Sequence, residues 1–193
     1  VTRAGGEPLL AGIVADDADT LRARIAALLE RSDMVMLSGG SSVGARDVAA
    51  QVLSSLGSPG VLFHGINVRP GKPTLCARIG GKPVLGMPGF PVSSMVIFDA
   101  FIRPLVWRLG GLGGRPEWPS RRARFARRHA SAPGREDWVR VRLETRDDGP
   151  WAVPVPGGSS ALSTVIRADG LVKVAAGSEG VGEGDEVDVL LYE

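Results

Sequence analysis

The chain has 193 residues, 44% of them hydrophobic and 23% charged, and a net charge of +2. That balance excludes a disordered chain, and no apolar run approaches the roughly 20 residues that a membrane-spanning helix needs. The single cysteine, Cys76, cannot form an internal disulfide. Val1-Thr2-Arg3-Ala4-Gly5 has neither the apolar core nor the cleavage site of a signal peptide, so a reducing cytoplasm is the expected setting.

All of the 23 basic residues except Lys72, Lys82 and Lys173 are arginine, the better fork for phosphate or carboxylate. An anionic ligand and a compositional bias both fit that excess. The 27 glycines gather in pairs such as Gly39-Gly40, Gly80-Gly81 and Gly157-Gly158, which mark loops.

Val1–Gly5 resembles the end of a helix, so the chain reads as a fragment that enters without a preceding strand and helix. Leu9–Val14 predicts a short buried strand, and Asp16-Asp17-Ala18-Asp19 supplies cap oxygens for a helix with Leu21, Ile25, Leu28 and Leu29 on one face. Met34–Leu37 is a second apolar strand. It runs into Ser38-Gly39-Gly40-Ser41-Ser42-Val43-Gly44, after which Val48, Val52, Leu53 and Leu56 keep helical spacing until Gly57. Val61–Val68 predicts a third strand, followed by Arg69-Pro70-Gly71-Lys72-Pro73. Thr74–Ile79 and Lys82–Leu85 form a hairpin about Gly80-Gly81. The loop Gly86-Met87-Pro88-Gly89-Phe90-Pro91 opens an apolar helix over Val92–Leu109, with Pro91 at its first position and Pro104 expected to kink it.

Strands alternating with helices predict an α/β domain with a largely parallel sheet, whose ligands sit beyond the carboxyl ends of the strands. Beyond Gly114 the pattern changes. Trp138–Leu143 and Glu186–Leu191 alternate, and glycines and prolines punctuate short strands, which predicts a small all-β barrel or sandwich. The expected domains are 1–114 and 115–193.

Ser38–Gly44 offers small residues and backbone N–H groups at a helix start, suited to an oxyanion; a tight structural turn has the same composition. The stretch from Gly65 to Thr74 is not a P-loop, because Pro73 occupies the hydroxyl position, yet Arg69 and Lys72 place two cations in a stiff turn. Asp16, Asp17 and Asp47 stand at loop-to-helix junctions, where carboxylates cap helices; convergence of Asp16 and Asp47 would instead suit Mg²⁺. The cluster from Arg121 to His129 reads as a strand with one solvated basic face. No nucleic-acid module accompanies it, and His64 and His129 lack zinc-ligand partners.

Taken together, Gly12–Asp17, Ser38–Asp47, Arg69–Pro73 and Gly86–Ser93 resemble, in order, the motifs of the molybdopterin molybdenumtransferases, the MoeA and gephyrin E-domain family. Gly158–Ser163 and Arg167–Gly170 resemble that family's C-terminal β-domain. The fold implied is a three-layer α/β molybdopterin-binding domain, without its first strand and helix, followed by a small barrel-like β-domain. The activity implied is insertion of molybdate into adenylylated molybdopterin with release of AMP and Mg²⁺ assistance, in a cytoplasmic homodimer that binds neither nucleic acid nor membrane.

By position, the resemblance implies catalytic roles for Asp16, Asp47, Pro88 and Pro91, with Asp16 and Asp47 as metal ligands. Substrate binding would fall to Ser38, Gly39, Gly40, Ser41, Ser42, Gly44, Arg69, Lys72, Gly89 and Ser93. Phe90 stands where the common pattern has Asn, a departure that matches a subgroup with an aromatic residue there. A non-catalytic molybdopterin-binding or sensor module is the alternative. A pterin adenylyltransferase fits less well, since those proteins lack the trailing β-domain.

Overall fold

The computed structural model describes residues 1–39, 48–113 and 118–192. The chain divides into two compact units, Val1–Ile66 with Gly71–Arg115, and Asn67–Pro70 with Pro116–Glu193.

The first unit begins with a 3₁₀ turn, Thr2–Ala4, closed by Gly5 in the left-handed region. Its regular elements are α1 (Ala18–Arg31), β1 (Val35–Ser38), α2 (Val48–Ser55), β2 (Gly60–His64), β4 (Leu75–Ile79) and β5 (Lys82–Met87); the intervening β3 (Val68–Arg69) belongs to the second unit. The sheet order is β1-β5-β4-β2. Among the described strands of this sheet only β1 and β5 run parallel, so the expected largely parallel sheet is mixed instead. The cause is local: Gly80-Gly81, both at positive φ, form a two-residue turn that returns β5 antiparallel to β4.

Ile25 of α1 and Val52 and Leu53 of α2 bury against Val35, Leu75, Ala77, Ile79 and Val84 of the sheet, as the helical spacings predict. Leu85 and Met87, out of step with Val84, are buried on the opposite face, so the sheet is covered on both sides. Lys82 of β5 donates to the Leu29 carbonyl at 2.6 Å, satisfying one of the open carbonyls at the end of α1.

Leu9–Val14 is not the buried strand its composition suggests. The segment is irregular, with Leu10 90% exposed and Leu9 and Ile13 exposed as well. Apolar residues become a strand only when a neighbour pairs their backbone. Among the described residues none does, and the Ala11 carbonyl accepts instead from the Arg24 side chain at 2.6 Å.

Pro91 opens the last helix of the unit, which runs as α3 (Pro91–Ile97), a π turn (Phe98–Ile102) and α4 (Arg103–Leu109). Pro104 cannot donate to the Ala100 carbonyl, and the widened turn just before it lets the helix continue. An Asp99–Arg103 ion pair at 2.6 Å spans that turn.

Asp17, rather than Asp16, caps α1: its carboxylate accepts the Thr20 N–H at 2.8 Å. Hydrogen bonds from Thr20, first the hydroxyl and then the backbone, hold the Asp17 pKa below its ordinary 3.8. The cap is therefore at full strength above that ordinary value and is lost as pH falls through the lowered one. Hydrogen exchange of the first-turn amides is expected to quicken in acid in the native chain. In Asp17→Asn, which caps without titrating, that acid dependence disappears; the same acid response in both would show that the cap does not set it.

The second unit holds β3, β6 (Ser120–Phe125), β7 (His129–Ala130), β8 (Glu136–Arg146), β9 (Gly149–Pro154), α5 (Ser163–Ile166), β10 (Gly170–Val174), β11 (Gly180–Val181) and β12 (Glu186–Leu191). The strands β10-β12-β6-β9-β8 close on themselves through the β8–β10 pairing, giving a five-stranded barrel. Ala123, Phe125, Val139, Val141, Ala152, Val172, Val174 and Val189 form its core. A Cβ at Gly170 would lie 2.3 Å from the Leu190 carbonyl oxygen, which explains the glycine where β10 meets β12. β6 carries Ala123 and Phe125 inward and its arginines outward, as expected. Arg122 lies 3.1 Å from both Glu186 and Asp188, and Arg124 lies 2.7 Å from Asp148. No helix among the described residues is long and apolar enough to cross a membrane.

Candidate functional site

The parallel pair β1 and β5 is in register from Val35↔Val84 to Ser38↔Met87, so the two strands end side by side. Loops leaving such adjacent carboxyl ends are where α/β sheets bind ligands. The Gly39 N–H donates to the Met87 carbonyl at 3.3 Å, and a Cβ on Gly89 would sit 3.6 Å from the Gly39 Cα. The second motif loop thus touches the fourth. Gly39 has φ 86, a conformation that favours glycine. Gly40, Ser41, Ser42, Gly44 and Asp47 lie outside the described residues.

The Pro88–Pro91 rim is stiff for identifiable reasons. Pro88 is buried, and its carbonyl accepts from the Ser94 hydroxyl. The Phe90 carbonyl accepts the Ser94 N–H at 3.0 Å, and Pro91 fixes the first helical position. Ser93 is buried, Ser38 and Gly89 are exposed, and the Phe90 ring stands 57% exposed. Ser38, Gly39, Pro88, Gly89, Pro91 and Ser93 therefore cluster about one end of the β1–β5 pair.

The remaining predicted residues are placed otherwise. Asp16 is exposed just ahead of the α1 cap and makes no hydrogen bond or ion pair among the described residues. It offers one hard oxygen donor of the kind Mg²⁺ takes. The described residues contain no group of three or more His, Cys, Asp or Glu side chains able to hold a metal ion, so Asp16 alone does not make a cation site.

The turn carrying the two expected cations is divided. Lys72 is exposed on the first unit, where its carbonyl accepts the Ile66 N–H at 2.9 Å and Thr74 closes the turn onto the Gly71 carbonyl. Arg69 belongs to the second unit, since Val68 and Arg69 pair in parallel with Glu136 and Asp137 of β8.

One candidate escaped the sequence. Arg140 sits in the alternating run of β8 beside the solvated Arg142, yet it is only 9% exposed. Its Nη2 donates to the Gly157 carbonyl at 2.6 Å, while its Nε has no partner. Burial holds the guanidinium pKa below its ordinary value; Tyr192 works in the opposite sense and the nearby Arg69 adds to the lowering. Among the described residues Arg140 meets no carboxylate at ion-pair distance. A buried cation in that condition is a natural partner for an anionic group of a ligand. Its side chain reaches the Gly157 carbonyl, 17 residues on, a contact that the alternation does not reveal.

Comparison with known proteins identifies the relatives of the chain. Residues 1–108 match the family described as probable molybdopterin binding domain, and residues 122–192 match the MoeA C-terminal region, domain IV. Among curated relatives, a molybdopterin biosynthesis protein of Methanocaldococcus jannaschii is 34% identical over 179 residues, 93% of this chain and 41% of the relative. The molybdopterin molybdenumtransferase of Nostoc is 32% identical over 196 residues, 98% of this chain and 44% of that protein. The crystal structure of a molybdopterin biosynthesis MoeA protein of Pyrococcus horikoshii is similar over 100% of this chain and 45% of its own, with TM-score 0.81 and 36% identity. The chain spans less than half the length of these relatives. In two successive domains and in fold, it belongs to the MoeA family of molybdopterin molybdenumtransferases.

Proposed function

We propose that the chain acts in molybdenum cofactor biosynthesis as the catalytic portion of a molybdopterin molybdenumtransferase, taking adenylylated molybdopterin and molybdate and releasing AMP. The observation that carries the reading is the meeting of two family motif loops, at Gly39 and Gly89, beyond the paired ends of β1 and β5. Residues 1–114 serve as the molybdopterin-binding domain and 115–193 as the C-terminal β-domain.

Cleaving a phosphate anhydride calls for positioning and charge neutralisation more than for a covalent nucleophile. In this reading the backbone N–H groups and hydroxyls of Ser38, Gly39, Gly40, Ser41, Ser42 and Gly44 cradle an anionic group. Gly89 allows close approach, Ser93 supplies a further hydroxyl, and Pro88 and Pro91 keep the rim from yielding. Lys72 on the first unit, and Arg69 and Arg140 on the second, each offer positive charge to an anionic group of the substrate. Asp16 and Asp47 are the residues that would hold Mg²⁺, which when bound offsets charge on phosphate oxygens. A homodimer in the cytoplasm, free of nucleic acid and membrane, completes the proposal; the ion-paired arginines of β6 and the lone Cys76 are in keeping with it.

The full natural chain, given adenylylated pterin, is expected to release AMP only once molybdate is added, as read by chromatography of the nucleotide. Tight pterin binding with no AMP under any condition would favour a binding or sensor module instead.

A further inference from the structure

Asp137 is a carboxylate with 3% of its side chain exposed, and a charge so buried persists only if it is compensated. Arg135 provides the main compensation through Nε at 2.8 Å and Nη2 at 3.4 Å. His129 lies 3.8 Å away through Nε2, and Arg69 lies 3.9 Å away through Nη1 with its side chain 62% exposed. The backbone reinforces that last approach. β3 is an edge strand on β8, with Arg69 opposite Asp137 and the Glu136 N–H donating to the Asn67 carbonyl at 2.9 Å.

These contacts divide the labour. Arg135 meets the carboxylate with a two-pronged hydrogen bond, whereas Arg69 stands beyond hydrogen-bond reach but well within the field of the buried charge. Its guanidinium is oriented without spending donors on Asp137, and those donors remain available at the surface. We propose that Asp137 is a positioning residue that aims Arg69 at an anionic group of the substrate, so that the β-barrel sets the direction of a binding cation. The proposal rests on the molybdenumtransferase reading only for the identity of that anion.

Two readouts test it. In the native chain the Arg69 Nε–H resonance is expected to show restricted side-chain motion, and in Asp137→Asn it should average to the values of a freely rotating arginine while thermal unfolding stays cooperative. In the full natural chain Asp137→Asn should raise KM for adenylylated pterin about tenfold, the scale of one lost phosphate contact, and leave kcat within about twofold. Adding Asp137→Asn to Arg69→Gln should then cost nothing further, because the cation it orients is gone.

A freely rotating Arg69 in the native chain, or additive effects in the double variant, would overturn the proposal. The native resonance decides the question even if Asp137→Asn fails to fold. If the chain does not turn over pterin at all, the function proposed above fails, while the Arg69 resonance still shows whether Asp137 holds this cation.

Discussion

Arg140→Met is expected to lower kcat/KM for AMP release by about 100-fold, the scale seen when one preorganised donor to a developing charge is removed, while leaving the melting temperature unchanged or raised. The opposed signs are the point. Methionine fills much of the arginine's volume without carrying charge into the barrel wall, and replacing an uncompensated buried charge with an apolar side chain is commonly neutral or stabilising. The substitution forfeits one hydrogen bond, to Gly157, and relieves the burial of a guanidinium whose Nε has no partner. A residue kept for structure would behave the other way, with stability falling and turnover persisting. That outcome would remove Arg140 from the site.

Phe125→Ala is expected to destabilise the barrel by about 3–5 kcal/mol, the usual cost of truncating a fully buried phenylalanine. Among the described residues Phe125 is the largest wholly buried side chain, lying among Ala123, Val139, Val141, Ala152, Val172, Val174 and Val189. Those neighbours are small or β-branched, so they cannot swing into the vacated volume. Its backbone is held as well, donating to the Asp185 carbonyl and accepting from Gly184 N–H, each at 2.8 Å. Against a typical domain stability of about 5–15 kcal/mol, the loss should shift the barrel's denaturant midpoint far down. A change below about 1 kcal/mol would mean that this core repacks freely.

The sequence made some features plain because their causes are local. The helical spacing of Leu21, Ile25, Leu28 and Leu29, the Gly80-Gly81 turn and the proline that opens α3 each express chemistry contained in a few residues, and the structure agrees with them. The failures share a different origin. Leu9–Val14 is apolar enough to be a strand, but strand formation depends on a distant neighbour that no local pattern records. The direction of β4 against β5 follows from the hairpin, which the sequence revealed, yet the broader expectation of a parallel sheet overrode it.

The site was legible in the same uneven way. Ser38, Gly39, Pro88, Gly89, Pro91 and Ser93 come together because β1 and β5 are adjacent, in keeping with the expectation that ligand loops leave the carboxyl ends of the strands. The division of Arg69 from Lys72 was not legible, because it depends on two residues of β3 joining the edge of β8. The burial of Arg140 and of Asp137 likewise depends on segments distant in sequence, the Gly157 loop and β3, and in the sequence both look like ordinary charged residues of a solvated strand.

The most direct test of the proposed chemistry is to measure AMP and metal-loaded pterin in the same reaction of the full natural chain with adenylylated molybdopterin and molybdate. Equal amounts of the two products, formed together, are predicted. AMP appearing without metal on the pterin would make the protein a simple hydrolase of the anhydride, and would contradict the assignment of insertion to this site.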